Sequence, residues 1–209
     1  VHTFSLVHDD LPALDDDDLR RGQPSSHVRF GEDVAILAGD ALLAEAFRLA
    51  LRYPTPAVAR ELADATLGMI GGQYLDVTID GGLDADGLRR LHALKTGRLL
   101  RAGVTTATAV AALPPEDEAP WRAFGDELGV LFQIVDDILD ATGTAEELGK
   151  TPGKDEAAGK VTYVSLHGLE HARELADDAR ARVNERLASL PADTSVLQEL
   201  VDTIRDRRN

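Results

Sequence analysis

Hydrophobic positions along the chain recur every three or four residues, and no stretch alternates long enough to read as a strand. Residues 1–10 read as the end of a helix closed by Pro12, because proline disfavours the helical region in the residue before it. Residues 15–30 read as an ordered loop punctuated by Gly22, Pro24 and Ser25-Ser26. A long helix starts at Glu32 or Asp33 and carries Val34, Leu37, Ala38, Ala41, Leu42, Ala44 and Leu49, with Asp40 inside that apolar stripe. Tyr53-Pro54-Thr55-Pro56 breaks the pattern, and Thr55 then caps a helix with Pro56 at its first position. This helix bears Leu62, Ala65, Leu67, Met69 and Ile70. The Gly71-Gly72 pair inside it costs helix stability and marks either a close approach by another helix or ligand, or a kink. Residues 80–84 form a loop, and a helix runs from Ala85 to Leu113 with Lys95-Thr96-Gly97 in its middle. Pro114-Pro115 is a boundary. From Trp121 a strongly apolar helix continues through Phe124, Leu128, Leu131, Phe132, Val135, Ile138 and Leu139. Residues 142–159 form a glycine-bearing loop with Lys150 and Lys154, and Lys160 follows it. Residues 162–190 are helical, the polar portion 174–186 reading as a solvated outer helix. A short helix over 196–204 and a frayed basic end, Arg205 to Arg208, complete the chain.

The pattern predicts an all-α fold. Composition agrees, with alanine and leucine abundant, aromatics at 4% and short β-branched runs. With 209 residues the chain has enough material for one domain, taken as 1–209, with a sizeable core. Its net charge of −15 leaves no basic face to release counterions, which argues against nucleic acid as a partner. Cysteine is absent, so disulfides and thiolate metal sites are excluded. No transmembrane stretch is apparent, and a cytoplasmic location is expected. The sequence starts at Val1 inside a helical pattern, so helices before it are expected to lie outside this sequence.

Charge changes the picture most near the start. Six aspartates fall within ten residues, Asp9, Asp10 and Asp15 to Asp18, and Arg20 and Arg21 follow at once. The uncharged run Val1 to Val7, bar its histidine, leads in, so the first carboxylates sit at the end of a buried segment. Desolvation and mutual repulsion there must be offset by cations. Hard oxygen donors favour Mg²⁺, Mn²⁺ or Ca²⁺, and guanidinium groups beside them suit a phosphate-bearing ligand. A second cluster, Asp136-Asp137-Ile138-Leu139-Asp140, lies on the apolar helix. Asp136 and Asp140 are four apart and share a face, where like charges destabilise unless a cation bridges them. Two surface aspartates would account for one such cluster. Two clusters, each beside an apolar helix segment, favour metals. His8 reads as structural or as a partner to a carboxylate, and Lys95, freed by Thr96-Gly97, as a phosphate contact.

Taken together, Ser5 to Asp10 through Arg20-Arg21-Gly22, Leu37 to Ala41, Gly71-Gly72-Gln73, Lys95-Thr96-Gly97, Phe132 to Asp140, Gly149-Lys150 and Gly159-Lys160 resemble the trans-isoprenyl diphosphate synthases, in that family's order and across the whole chain. The resemblance implies an isoprenoid synthase fold, a helical bundle around a deep central cavity, in a homodimer. It implies condensation of isopentenyl diphosphate with an allylic diphosphate and release of pyrophosphate. Asp9, Asp15 and Asp136 resemble the ligands of three Mg²⁺ ions, for which Mn²⁺ could substitute, with Asp10 and Asp140 in or beside the shell. Arg20, Lys95, Lys150 and Lys160 resemble contacts to the allylic diphosphate. Thr96 and Gln133 resemble the residues lining the allylic cation, and Arg21 and Phe132 those at the isopentenyl site. The family segment that supplies the other isopentenyl diphosphate contacts lies upstream of Val1.

The spacing Asp-Asp-x-x-x-x-Asp resembles the short-chain bacterial and plant subgroup. In that family, bulk just before this motif floors the hydrocarbon pocket. Phe4 is large and Ser5 small, which favours a farnesyl product, with geranylgeranyl as the alternative. A terpene cyclase is disfavoured by the second aspartate motif. A non-catalytic subunit of a heteromeric synthase is disfavoured by the intact Asp9, Asp15, Asp136, Lys95 and Arg20. A metal-buffering protein is disfavoured by the apolar flanks.

Overall fold

Helix α7, Pro115–Thr142, is the axis on which the other elements pack. Its residues Phe124, Leu128, Leu131 and Val135 recur at intervals of four, three and four, so they share one buried face. The computed structural model describes residues 1–79, 82–143 and 160–207. In chain order the elements before α7 are α1 (His2–Asp9), a two-stranded hairpin of β1 (Leu19–Arg20) and β2 (Gln23–Pro24), α2 (Ser26–Phe30), α3 (Glu32–Ala50), α4 (Ala57–Thr78), α5 (Ala85–His92), a π-helical turn (Ala93–Gly97) and α6 (Arg98–Val110). After α7 come α8 (Tyr163–His167), α9 (Leu169–Ala188) and α10 (Ser195–Asp206). The architecture is all-α.

Several elements differ from the sequence reading, each for a local reason. The 15–30 segment holds an antiparallel hairpin, with Leu19 opposite Pro24 and Arg20 opposite Gln23. Its two-residue turn puts both Arg21 (φ 55°) and Gly22 (φ 72°) in the left-handed region, which matches the twist of the strands. The expected helix start at Pro56 falls one residue later. The Thr55 hydroxyl accepts from the Ala57 amide at 3.2 Å. Helix α7 begins at Pro115 and not at Trp121, since proline is tolerated in the first turn, where its missing N–H has no partner to lose. Residues 162–190 are two helices, because Gly168 turns the chain with φ 79°.

The polar-rich α9 is not simply an outer helix. Ala172, Ala176, Ala179, Val183 and Leu187 form a fully buried stripe on it that packs against α7. Four intervals of three or four residues make the stripe, but alanine adds little to its hydrophobic signal. Small side chains bring the two helix axes close, so each alanine sets the fit more than it adds burial. The reverse holds on α3 and α4. Leu67, Ile70, Tyr74 and Val77 of α4 are each more than half exposed, and Leu37 and Leu49 of α3 are also exposed. These stripes point away from the core. No helix among the described residues is long and apolar enough to cross a membrane.

Candidate active site

Helix α1 ends on two aspartates that go separate ways. Asp10 is buried and accepts from Arg20 Nε at 3.0 Å and Nη2 at 2.5 Å. Arg20 Nη2 also reaches Asp17 Oδ2 at 3.3 Å. The hairpin therefore delivers Arg20 to α1, and Arg20 is locked there by two carboxylates. Asp9 instead accepts from the Gln73 carboxamide of α4. Past Pro12 the chain folds back, with the Asp15 amide donating to the Asp9 carbonyl at 2.9 Å and the Asp17 amide to the Asp10 carbonyl at 3.1 Å. His8 anchors this turn from the other side. Its ring lies 3.0 Å from the Ile36 carbonyl of α3, over Gly39, where any Cβ would collide with the imidazole. Asp40, one residue on, is exposed and 4.0 Å from that ring.

Helix α4 forms the second side. A Cβ at Gly72 would sit 2.3 Å from the Lys95 amide nitrogen and 2.5 Å from its Cα, so only glycine lets α4 lie on the π-helical turn. Gly71 faces open space. One turn past Gly72, Asp76 accepts from Lys95 Nζ at 2.6 Å and Lys160 Nζ at 3.1 Å, and Lys160 Nζ also donates to Asp15 at 2.9 Å. The third side is α7. Thr96 Oγ1 donates to Gln133 Oε1 at 2.9 Å, and Gln133 Nε2 donates to Asp137 Oδ1 at 2.8 Å. Asp137 is buried and also accepts from the Tyr163 amide at 2.7 Å, which ties α7 to α8. Asp136 stays partly exposed and takes Arg207 Nη2 at 2.6 Å, while the Arg207 guanidinium lies 4.4 Å over the Phe132 ring. Arg207, within the basic end expected to fray, is thus held against α7. Asp140 is buried, Arg21 is exposed at the hairpin tip, and Lys150 lies outside the described residues. Phe4 is buried with its ring edge-on to His8, and the Ser5 hydroxyl donates to the His2 carbonyl at 2.9 Å.

Electrostatics separate the groups further. Burial pushes the Asp9 carboxyl up to about 6. Lys95 opposes this and the neighbouring Asp15 adds to it. Burial would also raise Asp76, but Lys95 and then Lys160 outweigh it and hold that carboxyl below its ordinary range. For Lys160, burial works against the charge, but Asp15 and Asp76 override it and raise the ammonium above its usual range. Burial lowers the His92 imidazole to about 4, so this ring is neutral. The cluster therefore keeps Lys160 charged and leaves one carboxylate, Asp9, still short of positive charge.

That shortfall bears on whether a metal suits the site. Among the described residues no three carboxylate or histidine side chains converge on one point, so no ion would be enclosed by protein alone. Asp9, Asp15 and Asp136 are nevertheless hard oxygen donors whose present partners are an amide, an ammonium and a guanidinium. Such donors can take a divalent cation beside these partners, and Asp9 still lacks compensation. The donor set fits divalent ions that complete their shells with ligand and water oxygens.

Sequence reasoning had not assigned Gln73, Asp76, Asp137 or Arg207 a role. Asp76 lies four residues after Gly72 and so on the same helix face, but nothing in that spacing announces the lysines it meets.

Residues 1–204 match the polyprenyl synthetase family. The farnesyl diphosphate synthase of Escherichia coli (strain K12) is 45% identical over 228 aligned residues, covering 99% of this chain and 74% of that protein. Geranylgeranyl pyrophosphate synthase 7 of Arabidopsis thaliana is 42% identical over 100% of this chain and 64% of its own length. This chain thus spans less than two thirds of that relative. The geranyltransferase of Helicobacter pylori, solved with magnesium and isoprenyl diphosphate, superposes with a TM-score of 0.83 at 35% identity, over 97% of this chain and 69% of that one. The helical fold, the order of the motifs and these matches together place the chain in the polyprenyl synthetase family, with the all-α isoprenoid synthase fold.

Proposed function

We propose that the chain carries the reaction centre of a short-chain trans-prenyltransferase, which joins isopentenyl diphosphate to an allylic diphosphate and releases pyrophosphate. The observation that carries this reading is the meeting of Asp9, Asp15, Lys95 and Lys160. They come from three separate parts of the chain, and α4 links them through Gln73 and Asp76. Two fixed ammonium groups beside a carboxylate that lacks a counter-charge suit a diphosphate and divalent cations arriving together. The magnesium and isoprenyl diphosphate in the Helicobacter pylori relative support the same pairing.

In this reading Asp9, Asp15 and Asp136 hold the divalent ions, Mg²⁺ first, with Asp10 and Asp140 behind them. When bound, such ions supply Lewis-acid pull on the departing diphosphate. Lys95, Lys160 and Arg20 bind its oxygens, with Lys150 as a further cation, and Asp10 keeps the Arg20 fork in place. Ionisation of the allylic C–O bond leaves a cation. The Thr96 hydroxyl points its proton at Gln133, so its lone pairs are free to face that cation beside the Gln133 oxygen. The isopentenyl double bond attacks, Arg21 and Phe132 hold that second substrate, and pyrophosphate takes the proton that is lost. Phe4, with small Ser5 beside it, floors the hydrocarbon pocket and favours a farnesyl over a geranylgeranyl product. The exposed stripe Leu67, Ile70, Tyr74 and Val77 lies opposite Gly72 and Asp76 on α4 and pairs with a second copy of the chain.

Five outcomes test this. Full-length protein given Mg²⁺, isopentenyl diphosphate and each allylic primer should form a longer prenyl diphosphate, seen by chromatography. Asp9→Ala and Asp136→Ala should each lower turnover by about 100-fold or more at unchanged helical content; retained turnover would refute the metal assignment. Because protons and metal compete for Asp9, calorimetric titration with Mg²⁺ in buffers of different ionisation enthalpy should show proton release at pH 6. The release should vanish at pH 8 and in Asp9→Asn. Phe4→Ala should lengthen the product, and an unchanged product would put the floor elsewhere. Ile70→Glu should shift the protein from dimer to monomer in sedimentation, leaving its circular dichroism unaltered.

A further inference from the structure

Asp76 is the one carboxylate of the cluster that no motif singled out, and it holds the two lysines together. Its Oδ2 accepts from Lys95 Nζ at 2.6 Å and from Lys160 Nζ at 3.1 Å. The lysines lie 19 and 84 residues from it in sequence, one on the π-helical turn and the other just before α8. Two ammonium groups on one oxygen are no more than about 6 Å apart and repel each other. Without a shared counter-charge they would swing apart, since lysine side chains have several free rotors.

The bridge leaves donors to spare. An ammonium has three N–H groups. Asp76 takes one from each lysine, and Asp15 takes a second from Lys160. Lys95 keeps two and Lys160 one for an incoming ligand. Asp76 therefore need not leave when a diphosphate binds. Its position is set by backbone, because Gly72, one turn earlier on the same face of α4, rests on the amide and Cα of Lys95. The same helix holds Asp9 through Gln73.

We propose that Asp76 is the positioning residue of the diphosphate site, fixing Lys95 and Lys160 as a pair before the diphosphate arrives and keeping them there through its departure. The identity of the ligand rests on the function proposed above; the bridge itself does not.

The test separates the two. Lysine side-chain ammonium signals are recorded on the ¹⁵N-labelled full-length protein and assigned with Lys95→Arg and Lys160→Arg. Both signals are expected in the wild type; in Asp76→Asn, which preserves side-chain volume, the Lys95 signal should be lost and that of Lys160, still held by Asp15, should shift. An unchanged pair of signals in that variant overturns the proposal, whatever the enzyme assay gives. Should Asp76→Asn fail to fold, Lys160→Met decides the matter. Through the shared oxygen it moves the Lys95 signal, and an unmoved signal refutes the bridge.

Inorganic pyrophosphate is the binding probe, and Asp76→Asn should weaken it about tenfold. In the condensation assay the same variant should lower kcat about 30-fold or more, with KM for the allylic substrate within about threefold. Asp76→Glu keeps the charge and should recover part of that loss. Because Asp76 acts through Lys95 and Lys160 together, the triple variant Asp76→Asn/Lys95→Met/Lys160→Met should be no slower than Lys95→Met/Lys160→Met within about a factor of two. Losses that multiply would show that Asp76 acts independently and overturn the assignment. A wild type with intact ammonium signals but no condensation would refute the proposed reaction and leave the bridge standing.

Discussion

The contact between Gly72 and the backbone of Lys95 governs the geometry of the site. A π-helical turn inserts an extra residue into a helix and is rarely favourable by itself. Here it is wedged between α4 and α7, with glycine allowing α4 to lie directly on its main chain. One backbone distortion then does two jobs. It aims Lys95 at Asp76 of α4 and Thr96 at Gln133 of α7. A regular helix would present neighbouring residues about 100° apart on fixed faces, and the wider turn relaxes that constraint.

The site also has to work within a strongly acidic chain. With a net charge of −15, the average field disfavours a diphosphate, so attraction must be local. The shifts describe how this is arranged. Asp76 stays ionised despite burial because two lysines face it, and Lys160 stays charged because two carboxylates face it. These groups need no cation from outside. Asp9 does, since burial and Asp15 outweigh the lysines near it. The cluster is balanced at its back and deficient at Asp9.

The helices and the two acidic motifs were legible in the sequence because each leaves a local mark. Phe124, Leu128, Leu131 and Val135 set a period, and carboxylates beside apolar runs demand compensation. Other features leave none. Asp76 follows Tyr74-Leu75 as an ordinary residue, and its meaning lies in lysines 19 and 84 positions away. The alanine stripe of α9 is hidden because packing closeness is not hydrophobicity. The outward stripes on α3 and α4 looked like core, since periodicity marks an apolar face and not what covers it. Arg207 looked like a frayed end because nothing in Arg-Asp-Arg-Arg announces Asp136, 71 residues earlier.

Both Asp-Asp pairs divide their work in the same way, which explains why the carboxylates of one motif do not all face the site. Adjacent residues on a helix point about 100° apart, so only one of each pair can face a shared site. In α1, Asp9 meets the lysine cluster while Asp10 is buried under Arg20. In α7, Asp136 is partly exposed while Asp137 is buried between Gln133 and Tyr163. The inward member is not redundant. Asp10 fixes the guanidinium of the hairpin, and Asp137 orients the Gln133 amide so that its oxygen faces Thr96. Each inward carboxylate costs desolvation and is satisfied by fixed hydrogen bonds, which holds rigid the group that its outward neighbour works beside. The paired aspartates are therefore better understood as one site-facing carboxylate and one brace.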